Sequence, residues 1–486
     1  MSANISFLLN GLEEVCVPGP ADQTVLQWLR LNRRLTGTKE GCAEGDCGAC
    51  TIAVADVRRS AEQDSLIWSP ANACIMLMGQ LHGRLLVTVE GLADGQTLHP
   101  VQSAMVAQHA SQCGYCTPGF VMSLFAGFRN AQADTQTSTT DEIHDMIAGN
   151  LCRCTGYRPI VAAAQDALGP LRDDRFSAIE ADIAKRLRSM EAHGALASAT
   201  TDSKFSAPRT RADLAAALRS DPSARILAGG TDLGLDVTKR RQRQPSLISI
   251  NAVRELQQIE TRDGALIIGA AVTYAQAMPH LAAIDPSIGV LLRRLGSAQI
   301  RALGTMGGNI ANASPIGDTP PILMALGASV IVGGAQGEHT IPLDAFFTGY
   351  RRTALEKGEF IDRVIIPLPE ADCFVRVDKI SRRFDQDISA VCGAIAFQRN
   401  CEFIATPRIA FGGMAATPVR AKHAEAALDG APLTQATFDA AALALAADFA
   451  PIDDFRASAA YRMRAAQNLL RRWSLIATGA LAEAAE

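Results

Sequence analysis

The chain has no uninterrupted apolar run of the roughly 20 residues that crossing a bilayer requires. Its opening, MSANISFLLNGLEEV, lacks both the basic start and the long apolar stretch of a secretory or twin-arginine leader. A cytoplasmic protein that engages no membrane is the expectation. Net charge is also small: 46 Lys and Arg stand against 50 Asp and Glu. That balance gives no bulk attraction to nucleic acid or to an anionic surface. The eight histidines are scattered without metal-ligand spacing, and no Ser-His-Asp set or carboxylate pair stands out. Neither G-x-G-x-x-G nor G-x-x-x-x-G-K-[ST] occurs, which removes the Rossmann and Walker labels. No solenoid-type repeat is present.

Cysteine, by contrast, is plentiful. Twelve occur in 486 residues, a length that calls for two to four domains. Without an export signal a disulfide framework is disfavoured, because cytosolic thiols stay reduced. Eight of the twelve fall in the first third, in two groups of four: Cys42, Cys47, Cys50 and Cys74, then Cys113, Cys116, Cys152 and Cys154. Grouping of this kind points to metal centres. Cys16, Cys373, Cys392 and Cys401 stand alone and read as small buried hydrophobes.

Cys42-x4-Cys47-x2-Cys50, with Cys74 after a longer gap, has the spacing of plant-type [2Fe–2S] ferredoxins. Four thiolates must converge on two irons, so three come from one tight loop. Gly41, Gly45 and Gly48 let that loop close and aim N–H groups at sulfur. Zinc is the rival metal. In the second set, Cys113-x2-Cys116 taken alone fits a redox pair or half a zinc site. Cys152-x-Cys154 is awkward for a single tetrahedral ion and suits a wider two-iron cluster, with zinc still open.

Hydrophobic periodicity places these motifs on elements. Ile5 to Leu9, turned by Asn10-Gly11, returns through Val15 to Val17. A helix follows, with Asp22 or Thr24 as cap and Val25, Trp28 and Leu29 on one face. Thr51 to Val54 and Leu85 to Val89 read as strands. Helices are expected from Pro100, after Cys116 (Val121, Leu124, Phe125, Phe128), around Ile143 to Ile147, and from Pro159. Residues 166–205 read as a linker containing one amphipathic helix (Ile179, Ile183, Leu187, Met190), with a flexible tether from Gly194 to Ser206. An α/β region then begins, with glycine clusters at Gly229-Gly230-Thr231 and from Gly304 to Asn312. Their N–H groups suit a pyrophosphate, although such turns are more often only turns. Lys239 to Arg243 reads as a solvated helix end. Strands at Cys373 to Val377, Ala390 to Phe397 and Arg408 to Phe411 precede Ala-rich helices.

The sequence resembles the iron–sulfur/FAD subunits of the molybdenum hydroxylase family. The carrying segments are GTKEGCAEGDCGACT (37–51), NAC (72–74), SQCGYCTPGF (111–120), GNLCRCTGYRPI (149–160), LAGGTDLGLDVTK (227–239), GTMGGNIANASPIGDTPP (304–321) and KISRRFDQDISAVCG (379–393). FDQDISAVCG and SPIGD resemble the bacterial xanthine dehydrogenase branch. The resemblance implies a multidomain α+β protein with four modules: a β-grasp plant-type ferredoxin domain (1–92), a four-helix [2Fe–2S] domain (93–165), a two-part α+β FAD-binding domain (206–369) and a C-terminal α/β domain of the carbon monoxide dehydrogenase flavoprotein type (370–486). The linker 166–205 lies between the second and third. The implied ligands are Cys42, Cys47, Cys50 and Cys74 for one cluster, and Cys113, Cys116, Cys152 and Cys154 for the other. The implied FAD residues are Ile226, Leu227, Ala228, Gly229, Gly230, Thr231, Asp232 and Leu233 along the pyrophosphate, with Thr305, Gly307, Gly308, Asn309, Asp318 and Lys379. Ser381 to Ala390, and Tyr350, match positions where NAD approaches the flavin.

The family's fused members continue into molybdopterin-binding domains, so the resemblance implies a molybdopterin-binding large subunit as partner, in a heterotetramer of two small and two large subunits. Purine oxidation by that partner would send electrons through both clusters to FAD and NAD, with no catalytic substrate residues on this chain. A subunit of an aldehyde or N-heteroaromatic hydroxylase is the alternative within the class. Outside the class stands a zinc-stabilised scaffold that does no redox work.

Overall fold

Asn10 and Gly11, both at positive φ (51° and 127°), turn the strand Ile5–Leu9 back into Glu13–Val17, as the Asn-Gly pair predicts. This hairpin opens the computed structural model, which describes residues 4–18, 20–58, 64–134, 138–169, 173–192, 196–199 and 203–481. The protein divides into two units, Met1–Val253 with Gly296–Gly304 and Arg254–Leu295 with Thr305–Glu486.

In the first unit the hairpin joins a five-stranded sheet in the order Glu13–Val17, Ile5–Leu9, Leu85–Val87, Thr51–Arg58, Ser65–Asn72. Ile5–Leu9 pairs parallel with Leu85–Val87 and the remaining pairs are antiparallel. Side chains alternate between two faces, as strand geometry requires. Ile5, Phe7, Leu9, Ile52, Val54 and Leu86 pack on Val25, Trp28 and Leu29 of the helix capped by Thr24. Leu8, Ala53, Ala55, Leu85 and Val87 face the other way, into a core shared with Phe120, Phe125 and Phe128. Both faces of the sheet are therefore buried. The second face is covered by the helices Thr117–Asp134 and Glu180–Ala192, and the helices Pro100–Ala107, Thr140–Ile147 and Arg158–Leu168 pack on the first of these. Pro100 at a first helical position and the Thr139–Glu142 capping box start two of them.

The stretch read as a linker is packed wherever it is described. Phe176, Ile183, Leu187 and Met190 enter the same core. Asp174 accepts from Arg129 at 2.8 Å and lies 3.0 Å from His99 Nε2, with all three side chains buried. The expected tether is corrected as well: Leu196–Ala199 and Lys204–Ala207 form antiparallel strands. Leu196 and Ser198 point inward while Ala197 and Ala199 point out, so small residues that suggested flexibility carry a two-residue alternation. Residues 194–195 and 200–202 of that expectation lie outside the described residues. The two strands continue, parallel, through Ser246–Ser249 to Arg225–Leu227.

The second unit holds an antiparallel sheet in the order Ile259–Arg262, Ala265–Gly269, Phe360–Pro367, Ser329–Gly334, Gly337–Pro342. A four-stranded antiparallel sheet follows, Cys373–Ile380, Val391–Asn400, Phe403–Gly412 and Val419–Arg420. Alternation again feeds two cores: Val375, Val377, Cys392 and Ala394 on one side, Phe374, Val391, Ile395 and Phe397 on the other. The latter core includes the helices Lys422–Leu428, Gln435–Asp448 and Ala459–Ala477.

Of the four lone cysteines only Cys392 is buried; Cys373 is half-buried, and Cys16 and Cys401 are exposed. Cys16 falls on the outward phase of its strand, and Cys401 sits at positive φ in the turn between two strands. Among the described residues no helix is long and apolar enough to cross a membrane.

Candidate functional site

The loop from Gly41 to Cys50 runs into the strand Thr51–Arg58, and the neighbouring strand Ser65–Asn72 ends two residues before Cys74. The sheet thereby brings the distant fourth cysteine to the loop. The thiols of Cys47, Cys42, Cys74 and Cys50 touch in that order. The N–H groups of Glu44, Asp46 and Cys47 each lie 3.4 Å from Cys42 Sγ, and the Cys42 N–H lies 3.4 Å from Cys47 Sγ. Contacts from Cys47 and Cys74, with these N–H groups, hold the Cys42 thiol well below its ordinary value. The Cys42 thiol, followed by burial, pushes Cys47 well up. Cys74 is pushed up by Cys42, then by Cys50 and burial. Thiols so close cannot all carry charge unless cations lie between them, which is the situation a metal cluster supplies.

The second set joins two helix ends: Cys113 and Cys116 precede Thr117–Asp134, while Cys152 and Cys154 lie between Thr140–Ile147 and Arg158–Leu168. Cys116 contacts Cys152, and Cys113 contacts Cys154. Burial, with the Cys152 thiol beside it, pushes Cys116 up to about 12. Burial of Cys152 is outweighed by the Thr155 hydroxyl at 3.2 Å and the Thr155 N–H at 3.5 Å, which hold that thiol below its ordinary value. Both four-cysteine donor sets fit two-iron clusters. Among the described residues no group of three or more His, Cys, Asp or Glu is arranged around a single ion.

The two cysteine loops meet directly. The Leu151 N–H donates to the Cys47 carbonyl at 3.0 Å, and the Tyr115 hydroxyl donates to the Glu40 carbonyl. Asn150 Nδ2 donates to Gly48 O at 3.0 Å. Gly48 sits at φ +66°, and a Cβ there would fall 2.1 Å from Gly149 O, so only glycine permits the approach.

Several residues here were not singled out from sequence. Asn72 Nδ2 donates to Gly45 O at 2.8 Å, and Asn150, from the second set, donates to Gly48 O of the same loop. Each asparagine stands two residues before a candidate ligand, in Asn72-Ala73-Cys74 and Asn150-Leu151-Cys152, a signal that could have marked both. Lys239, read as solvated, donates to the Cys42 carbonyl at 2.6 Å and pairs with Glu44 at 3.1 Å. Arg243 binds the buried Asp22 at 2.8 Å.

The two glycine clusters divide between the units, with Gly304 falling in the first. Ile226, Leu227, Ala228, Gly229, Gly230, Thr231, Asp232 and Leu233 belong to the first. There Gln80 Nε2 donates to Gly229 O at 3.0 Å and Asn251 Nδ2 to Ala228 O at 3.2 Å. A Cβ on Gly229 would lie 2.1 Å from Leu303 O, so the backbone itself forms this turn's floor. Thr305, Gly307, Gly308, Asn309, Asp318 and Lys379 belong to the second unit. Thr305 accepts from the Gly308 N–H at 3.0 Å, and the Thr319 hydroxyl donates to Asn309 Oδ1 at 3.0 Å. Asp318 forms a buried ion pair with Lys379 at 2.7 Å and accepts from the Ser389 hydroxyl at 2.5 Å. Arg294 donates to the carbonyls of Lys379 (2.9 Å) and Phe384 (3.1 Å) and to Ser381 Oγ (3.0 Å), and lies over the Phe384 ring. This clasp fixes the loop after Lys379. Tyr350 is exposed.

Four families match along the chain: "2Fe-2S iron-sulfur cluster binding domain" at residues 8–79, "[2Fe-2S] binding domain" at 88–165, "FAD binding domain in molybdopterin dehydrogenase" at 201–369 and "CO dehydrogenase flavoprotein C-terminal domain" at 376–477. Xanthine dehydrogenase of Drosophila subobscura is 31% identical over 88% of this chain and 36% of its own length. The chain thus spans about a third of the length of the curated relatives it matches. Among solved structures, a chain of carbon monoxide dehydrogenase from Hydrogenophaga pseudoflava is 30% identical, with a TM-score of 0.54, over 57% of this chain and 98% of that one. A chain of quinoline 2-oxidoreductase from Pseudomonas putida 86 is 28% identical, with a TM-score of 0.53, over 58% and 99%.

Proposed function

The chain belongs to the molybdenum hydroxylase family as an electron-transfer part carrying two [2Fe–2S] domains and an FAD domain, and from that premise we propose that it is the iron–sulfur/FAD subunit of a xanthine dehydrogenase. The observation that carries this reading is the extent of the likeness. The xanthine dehydrogenase match runs through 88% of the chain; the carbon monoxide dehydrogenase and quinoline 2-oxidoreductase chains are shorter, matched over 98% and 99% of their own length and 57% and 58% of this one.

On this reading the substrate is hypoxanthine or xanthine, oxidised at a molybdopterin-bearing large subunit, with NAD as final acceptor in a cytoplasmic heterotetramer. Cys42, Cys47, Cys50 and Cys74 hold the ferredoxin-type cluster, and Cys113, Cys116, Cys152 and Cys154 the other. The N–H groups around Cys42 Sγ favour its thiolate. The segment Ile226 to Leu233, with Thr305, Gly307, Gly308, Asn309, Asp318 and Lys379, binds FAD. Bound, the clusters would carry single electrons, and FAD would pair them for hydride transfer to NAD. The protein's share is holding these groups and fixing their surroundings. Lys379 and Asp318 form a buried ion pair at 2.7 Å beside the loop that follows Lys379.

The likeness to quinoline 2-oxidoreductase favours a second reading, in which the partner oxidises an N-heteroaromatic or aldehyde substrate. Co-purification with the large subunit, followed by NAD reduction assays with xanthine, quinoline and an aldehyde in turn, separates the two. Xanthine-dependent NAD reduction is expected. Turnover only with quinoline or aldehyde would overturn the purine assignment, and colourless, zinc-containing protein would overturn the redox reading altogether.

A further inference from the structure

Gln299 lies on the short helix Ala298–Leu303, in a segment that belongs to the first unit although its chain neighbours on both sides belong to the second. The side chain is fully buried. Its Nε2 stands 3.1 Å from each of Thr51 Oγ1, Ser123 Oγ and Asn150 Oδ1. The two hydroxyls have already committed their protons, Thr51 to Gly48 O at 2.7 Å and Ser123 to Asn150 Oδ1 at 2.6 Å. All three oxygens therefore face the amide as acceptors. Gln299 Oε1 is buried with no hydrogen-bond partner. An apolar side chain of similar size would fill the space without an orphaned acceptor, so packing alone does not account for this glutamine.

The positions of the three acceptors supply the account. Thr51 follows Cys50, Asn150 stands two residues before Cys152, and Ser123 lies on the helix that Cys116 enters. One amide thus ties the ferredoxin-type loop to both arms of the helical-domain site. It does so beside the Leu151 N–H to Cys47 carbonyl contact, where one path between the two cysteine sets crosses a single hydrogen bond. Electron transfer through protein falls steeply with distance and with each unbonded gap. A residue that fixes this junction fixes the coupling between the clusters.

We infer that Gln299 is a positioning residue for electron transfer between the two iron–sulfur clusters, a role resting on the two-cluster reading above. The test uses the full complex carrying Gln299→Met, which keeps length and removes both donor hydrogens. Fully reduced wild-type protein is expected to show two EPR signals split by their mutual spin–spin interaction. Gln299→Met is expected to keep about four irons per chain, both signals and the flavin, while losing or sharply narrowing the splitting. An unchanged splitting overturns the inference. Should Gln299→Met lose a cluster, Thr51→Val carries the test by deleting one acceptor while keeping a β-branched strand residue. Reduced splitting with full iron then supports the positioning role, and unchanged splitting rejects it. Failure of the two-cluster reading looks different: the wild-type protein itself would lack two distinguishable signals.

Discussion

Cys50 and Cys74 are each 2% exposed at the edge of a sheet, whereas Cys113 and Cys154 lie exposed at the ends of helices. The first site draws its donors from the backbone: three N–H groups converge on Cys42 Sγ, from a loop closed by glycine. The second relies on Thr155, whose hydroxyl and N–H both reach Cys152 Sγ. The first site is fastened to an apolar sheet face, and the second to a helix set clamped by the buried side chains of His99, Asp174 and Arg129. Hydrogen bonds to sulfur and exposure to water set cluster potentials, so sites built so differently should be separable by chemistry as well as by spectrum.

Cysteine removal should give the largest contrast. Cys74→Ser is expected to abolish the first EPR signal, remove about half of the iron and lower the melting temperature, because metal binding and folding of a buried site are coupled. Cys154→Ser should remove the second signal and a similar share of iron while leaving melting close to wild type. Equal thermal damage from both would break the contrast between a buried and an exposed site. Gly48→Ala tests the junction between them. Its Cβ would meet Gly149 O at 2.1 Å, and its φ is +66°. Strain on the order of 1–3 kcal/mol is expected, with the spin–spin splitting altered. Full stability by denaturant titration would show that the loops are free to separate.

Asp174→Asn should have the smallest effect and sharpen the contrast in what holds each site. Burial would raise this carboxyl, but His99 and Arg129 outweigh it and hold it below the ordinary carboxylate range. A depressed folded value contributes stability that is fully present above the unfolded value, about 3.9, and is lost as pH falls through the folded one. The variant should therefore be less stable at neutral pH by roughly 1–2 kcal/mol, with the gap closing in acid. The second EPR signal should weaken before the first. A constant gap across pH, followed by denaturant unfolding, would remove Asp174 from the clamp.

What the sequence disclosed, and what it hid, follows from how local each feature is. Cys42, Cys47 and Cys50 are readable because one loop holds them, and the Asn10-Gly11 turn because two residues set its backbone. Most of the strand and helix placements follow from alternation that needs no partner. Gln299 is invisible for the opposite reason: its three acceptors lie between 149 and 248 residues away along the chain. The Asp174 clamp is hidden in the same way, since its partners His99 and Arg129 come from two earlier helices. Leu196 to Ala199 misled through composition, because alanine and serine weigh toward flexibility while a pairing strand decides otherwise.

The sheet of the ferredoxin-type module is covered on both faces, Ile5, Phe7 and Leu9 on one and Leu8 on the other. A small electron carrier that diffuses must keep a face free to meet and leave its partners, and its throughput then depends on how often they collide. A module with no face to spare has given up that traffic. Its step becomes unimolecular, with a rate indifferent to dilution, and selection can act on the spacing of its neighbours rather than on the frequency of their encounters.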